Sequence, residues 1–175
     1  MTTTKQTTTQ VYRVYIKASP QAVWDAITQA DWTDRYGYGG RAQYDLRPGG
    51  AYRAMATEAH KRAGEEMGFP TPDILVDGEV VEADPPRRLV QTWRMCMDPQ
   101  VMSEGFSRVT YEIEESRGGA RLTVTHDLEG MPRLAVLVAG GQEAEGAGGG
   151  WAWVLSDLKS LLESGSSLSG GAGPQ

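Results

Sequence analysis

The sequence predicts an α+β domain, an antiparallel sheet of about seven strands followed by one long C-terminal helix. Three observations carry this. Residues 108–114 and 122–128 alternate apolar and polar side chains without a break, and Ser116-Arg117-Gly118-Gly119 between them is a hairpin turn. Residues 151–162 place apolar side chains at the helical period, and Gly165 follows where a left-handed capping residue belongs. Two short helical patterns lie together after the first strand, so the remaining strands run one after another and pair as antiparallel neighbours.

Taken in order, residues 1–9 are polar without periodicity and are expected to form a disordered arm. Residues 11–18 form a first strand with Tyr12, Val14 and Ile16 on one face and Arg13, Tyr15 and Lys17 on the other. A helix follows, with Ser19 as N-cap, Pro20 in the first turn and Val23, Trp24 and Ile27 on its apolar side. A second short helix carries Trp32 and Tyr36 and is stopped by glycines. Residues 41–56 make two strands joined through Pro48-Gly49-Gly50. Residues 57–73 are charged, hold two prolines and read as a long loop, with His60 solvated. Strands at 74–83 and 88–97 flank a turn at Asp84-Pro85-Pro86.

In the last helix, Trp151, Val154, Leu155, Leu158, Leu161 and Leu162 fall within an arc of roughly 120°. Ser156, Asp157, Lys159, Ser160 and Glu163 fall outside it, and Trp153 projects from the polar side. The stripe needs a wide apolar surface to lie on, and the sheet supplies one. The folded domain is therefore expected over 10–164, with 165–175 as a disordered tail.

The 175 residues carry a formal charge of −6, and the basic residues are scattered. Nucleic acid and anionic membrane surfaces are thus not expected partners. A single cysteine, Cys96, excludes an internal disulfide framework. No apolar run approaches the roughly 18 residues of a membrane span, and no signal-peptide pattern opens the chain, so a reducing, cytoplasmic setting is expected. Met95, Met97 and Met102 lie near Cys96, but their expected role is packing at a strand end, with no metal bound. His126 and Asp127 are strand neighbours, which point to opposite faces and cannot form a dyad. No nucleophile with a partnered base is visible, so catalysis is not expected, and no cofactor is implied.

"IKASPQAVWDAIT", "YDLRPGGAYR", "VDGEVVEADPPRRLVQTWR", "SRVTYEIEE", "RLTVTHD" and "GGWAWVLSDLKSLLESG" resemble, in order, the sequence blocks of START-like SRPBCC proteins. The branch they resemble most is that related to the activator of Hsp90 ATPase. The resemblance implies a helix-grip fold, in which a curved antiparallel sheet wraps the C-terminal helix. It also implies an internal apolar cavity where many members bind hydrophobic small molecules. On that fold the cavity residues would be Gln91, Trp93, Met95, Tyr111 and His126 from the sheet, with Trp151 and Leu155 from the closing helix. Trp32 and Tyr36 would stand at its mouth, and Tyr52 belongs to a strand whose inward face the pattern leaves open. The expected occupant is aromatic or polyketide-like, and the chain a monomer or weak homodimer. Trp153 stands where this branch usually carries a small residue, and can mark a self-association surface.

The same resemblance carries three alternatives. Some relatives protect their hosts from enediyne antibiotics by letting a bound diradical cut the chain at a glycine. A polyketide cyclase would use His126 and Tyr111 as acid and base. A chaperone regulator would act like the Hsp90 activator. The glycine-rich segment 140–150 reads by default as a flexible lead into the last helix, alternatively as a lid or as the cut segment.

Overall fold

A computed structural model of the chain describes residues 8–145 and 148–168. Its strands are β1 (Thr9–Ile16), β2 (Arg41–Tyr44), β3 (Ala51–Met55), β4 (Ile74–Asp84), β5 (Arg88–Met95), β6 (Ser107–Ser116) and β7 (Gly119–Asp127). They form one antiparallel sheet in the order β1-β7-β6-β5-β4-β3-β2. The helices are α1 (Pro20–Thr28), α2 (Ala30–Thr33), α3 (Glu58–Glu66), α4 (Pro99–Met102), α5 (Pro132–Val138) and α6 (Gly150–Ser164). This is the α+β helix-grip architecture the sequence predicts.

Alternation decides which face is covered. The register sets Gln91 opposite Val109 and Val109 opposite His126, and it sets Leu89 opposite Tyr111 and Tyr111 opposite Val124. These rows share the covered face, and α1 and α6 lie over it. The other face carries ion pairs such as Arg94–Asp77, Arg88–Glu112 and Arg121–Glu114. Ser19 caps α1 by accepting from Ala22 N at 3.1 Å, and Gly165 ends α6 in the left-handed region at φ 79°. No helix among the described residues is long and apolar enough to cross a membrane.

The structure departs from the sequence reading in four places. Residues 57–73 are not all loop, because α3 forms within them. That helix has no apolar stripe; its start is a reciprocal cap in which Thr57 Oγ1 accepts from His60 N and His60 Nδ1 accepts from Thr57 N at 2.9 Å. His60 is accordingly half-buried and held at both ring nitrogens, with its Nε2 2.6 Å from the Tyr38 carbonyl. In the methionine-rich stretch, Asp98 Oδ1 accepts from Gln100 N and starts α4, which buries Val101.

The segment before the last helix is also more ordered than a glycine-rich lead. It contains α5, whose first turn is capped from a distance: the Glu104 carboxylate accepts from Arg133 N at 2.9 Å and Leu134 N at 3.0 Å. Gly150 there has φ +68°, and a Cβ on it would overlap the Val138 carbonyl where α5 and α6 meet. Gly150→Ala should lower stability by about 2 kcal/mol or more. Thermal unfolding checks this; an unchanged midpoint would remove the close-approach argument. Residues 146–147 lie outside the described residues.

The fourth departure is Asp157. It lies outside the apolar arc of α6 yet is fully buried. Its carboxylate accepts from Gly37 N at 2.8 Å and from Leu168 N at 2.6 Å. A loop from one end of the chain and the segment beyond α6 both fold onto that side of the helix. Trp153 is half-buried there, beside Gly149.

Candidate ligand site between the sheet and the last helix

Two polar networks lie within the covered face. The first runs through His126, which has no exposed surface. Trp151 Nε1–H donates to His126 Nδ1 at 3.0 Å, so that nitrogen is the acceptor. This assigns the ring proton to Nε2, which donates to Ser107 Oγ at 2.7 Å, and Ser107 donates to the Trp93 carbonyl at 2.9 Å. Burial lowers the His126 pKa to about 4, against a small opposing pull from Asp127. The ring is neutral near pH 7 and meets Trp93 and Trp151 edge-on at 5.5 and 5.9 Å. Both nitrogens are engaged within the fold. His126 therefore positions two tryptophans, and neither nitrogen is free to act as a base or to hold a ligand.

The second network is built of tyrosines around Gln91. Tyr44 donates to Gln91 Oε1 at 2.7 Å and stacks on Tyr52 with ring centroids 4.5 Å apart. Tyr36, in the loop after α2, donates to the Ala26 carbonyl at 2.9 Å. Tyr111 meets the Trp151 ring edge-on at 6.1 Å, and its hydroxyl makes no hydrogen bond among the described residues. Burial pushes all four hydroxyls up, Tyr52 to about 12, and their mutual proximity adds to the shift of Tyr36, Tyr44 and Tyr111. Gln91, Tyr44 and Trp93, close to the Tyr52 hydroxyl, hold its value down against that burial.

The ten expected residues do not all meet. Gln91, Trp93, Tyr111, His126, Trp151 and Leu155 come together between the sheet and α6, and Tyr52 joins them from β3. Tyr36 reaches the same cluster from the loop. Met95 lies half-buried at the end of β5. Trp32 is half-buried on α2 with the Arg35 guanidinium 4.8 Å from its ring. Tyr44 was not anticipated; its signal is the hairpin through Pro48-Gly49-Gly50, whose register sets it opposite Tyr52.

A concavity of about 450 Å³ lies elsewhere, at the opposite end of the sheet. It is an open dish lined by residues 17–20 and by the β6–β7 hairpin, and none of the ten residues borders it. No group of three or more His, Cys, Asp or Glu side chains suited to a metal ion occurs among the described residues. Burial, with Asp77 next in effect, pushes the Cys96 thiol up, which is the reverse of an activated thiolate.

A seven-stranded antiparallel sheet gripping a C-terminal helix, with an aromatic and polar interior, defines a START-like helix-grip domain. The chain belongs to the family of Activator of Hsp90 ATPase homolog 1-like proteins, matched over residues 17–163. No curated protein matches it. The crystal structure of CalU16 from Micromonospora echinospora is 21% identical, with a TM-score of 0.55 over 78% of this chain and 69% of that one. The solution structure of the Aha1 dimer from Colwellia psychrerythraea is 17% identical, with a TM-score of 0.57 over 90% of this chain and 97% of that one. DynU16, a protein in the dynemicin biosynthetic locus, is 20% identical, with a TM-score of 0.61 over 91% of this chain and 49% of that one. This chain thus spans about half of DynU16. At these identities the likeness is one of fold.

Proposed function

We propose that the protein binds a hydrophobic small molecule between the sheet and α6, among the tyrosine cluster, Trp93 and Leu155. One observation carries the reading. Tyr36 and Tyr44 keep part of their surface accessible, although each is enclosed tightly enough for burial to raise its hydroxyl pKa. Aromatic surface left accessible beside this interior, with few polar groups around it, suits contact with a small apolar ligand. Trp93, half-buried beside Tyr52 and His126, would supply most of the contact.

Native mass spectrometry of freshly purified protein should show a co-purified small molecule. Trp93→Ala, once shown to be folded, should weaken its binding by about tenfold or more. Equal occupancy in wild type and variant would count against the site.

The fold shared with a protein of the dynemicin locus supports a second reading, in which a bound diradical takes a hydrogen atom from a glycine and the chain is cut. Intact mass measured after incubation with an activated enediyne tests it. A chain left whole under conditions that cleave DNA would reject it. The likeness to an Aha1 dimer supports a homodimer, which sedimentation would detect.

A further inference from the structure

We infer that the interior site selects an uncharged molecule whose hydrogen-bond acceptor, a carbonyl oxygen or its equivalent, docks on Gln91 Nε2. The inference rests on the reading of the interior as a ligand site and narrows its chemistry.

Gln91 is fully buried in the centre of the sheet, between Val80 on β4 and Val109 on β6. Its Oε1 accepts from Tyr44, which orients the amide. Nε2 then makes no hydrogen bond. The Tyr52 hydroxyl lies near enough for the amide to affect its pKa, but not in hydrogen-bonding geometry with Nε2. An unsatisfied amide donor in a core costs about 1–3 kcal/mol, and an apolar side chain of similar shape would avoid the cost. An acceptor supplied from outside the chain resolves this.

The surroundings exclude two ligand classes. Tyr52 and Tyr111 stay protonated and the Trp93 indole is a donor only, so the cluster is rich in donors. A pure hydrocarbon would leave the Gln91 donor orphaned. An anion would find donors but no counter-charge, because the buried polar side chains among the described residues are Thr28, Gln91, Ser107, Thr123, His126 and Asp157. None is a lysine or arginine, and His126 is neutral near pH 7. The carboxylate of Asp157 acts on this cluster: after burial and Tyr52, it is the third cause of the raised Tyr36 pKa. A carboxylate ligand would be desolvated without a partner and repelled. A neutral acceptor meets neither penalty.

The test uses three probes of one shape at pH 7.5: 1-indanone, indane and indane-1-carboxylate. Binding is read from the indole N–H signals and the Gln91 side-chain amide signal of ¹⁵N-labelled protein. In wild type, indanone should bind about tenfold tighter than either other probe, and it alone should move the Gln91 amide protons downfield. In Gln91→Leu, the ketone's advantage over indane should fall to within about twofold, with indane bound as well as before. The inference is overturned if indane or the carboxylate matches the ketone in wild type. It also fails if the ketone's advantage survives in Gln91→Leu, or if the amide protons stay still as the ketone binds. The probe comparison and the amide signal need only wild-type protein, so they decide the matter if the variant does not fold. Binding of none of the three would overturn the ligand-site reading itself, a result distinct from all the others.

Discussion

Taking the protein from pH 7 to pH 4 should remove about 3 kcal/mol of stability through His126 alone. The buried ring has a pKa of about 4, against an ordinary value of 6.5. Between those values the unfolded chain binds a proton that the folded chain refuses. Stability is therefore full above about pH 6.5 and falls as the pH drops, by up to about 1.4 kcal/mol per pH unit, until the folded ring also protonates. Protonation would add a donor at Nδ1, where Trp151 Nε1 already donates. His126→Gln offers an amide oxygen to Trp151 and an amide N–H to Ser107 without titrating. Urea unfolding of both proteins between pH 4 and 7 measures the difference. Parallel pH profiles would show that His126 is not the source.

Asp157→Ala should lower stability by about 3 kcal/mol, with the loss centred on the loop of Tyr36–Gly37–Tyr38. The carboxylate serves two backbone donors from segments far apart in sequence, Gly37 N and Leu168 N. Truncation leaves the buried Gly37 N–H without its acceptor. That loop is held elsewhere too: Gly150 N donates to Tyr38 Oη, and His60 Nε2 meets the Tyr38 carbonyl. The loop should thus loosen while the sheet stays intact. Hydrogen exchange should speed up at Gly37 and at the start of α6 with little change in β6 and β7. A variant as stable as wild type would mean that water replaces the carboxylate at no cost.

The elements written in local periodicity were legible. β6 and β7 alternate cleanly, α6 carries a stripe, and α1 announces itself with Ser19 and Pro20. What depends on distant partners was not. α3 carries no large apolar side chain, and what anchors it is a histidine bonded to Tyr38, 22 residues away. α5 begins where Glu104 reaches its backbone from 30 residues upstream. Asp157 looked like a solvent-facing residue because nothing in α6 tells that the Tyr36 loop will cover it.

The site divides in the same way. Strand parity placed Gln91, Trp93, Tyr111 and His126 on one face, but parity says nothing of what each side chain bonds. The saturation of His126 needs Ser107 from β6 and Trp151 from α6 at once. Tyr44 required a hairpin register.

The outermost strand, β1, has a single neighbour, β7, and Lys159 near the end of the last helix donates to the Tyr15 carbonyl. During synthesis β1 thus has no strand to dock on until more than a hundred further residues have been made. Closing so large a loop is entropically costly and comes late, so until β7 is available the core-facing side of β1, with Tyr12, Val14 and Ile16, stays uncovered. The domain therefore closes like a clasp, its earliest strand fastened only by late-made segments.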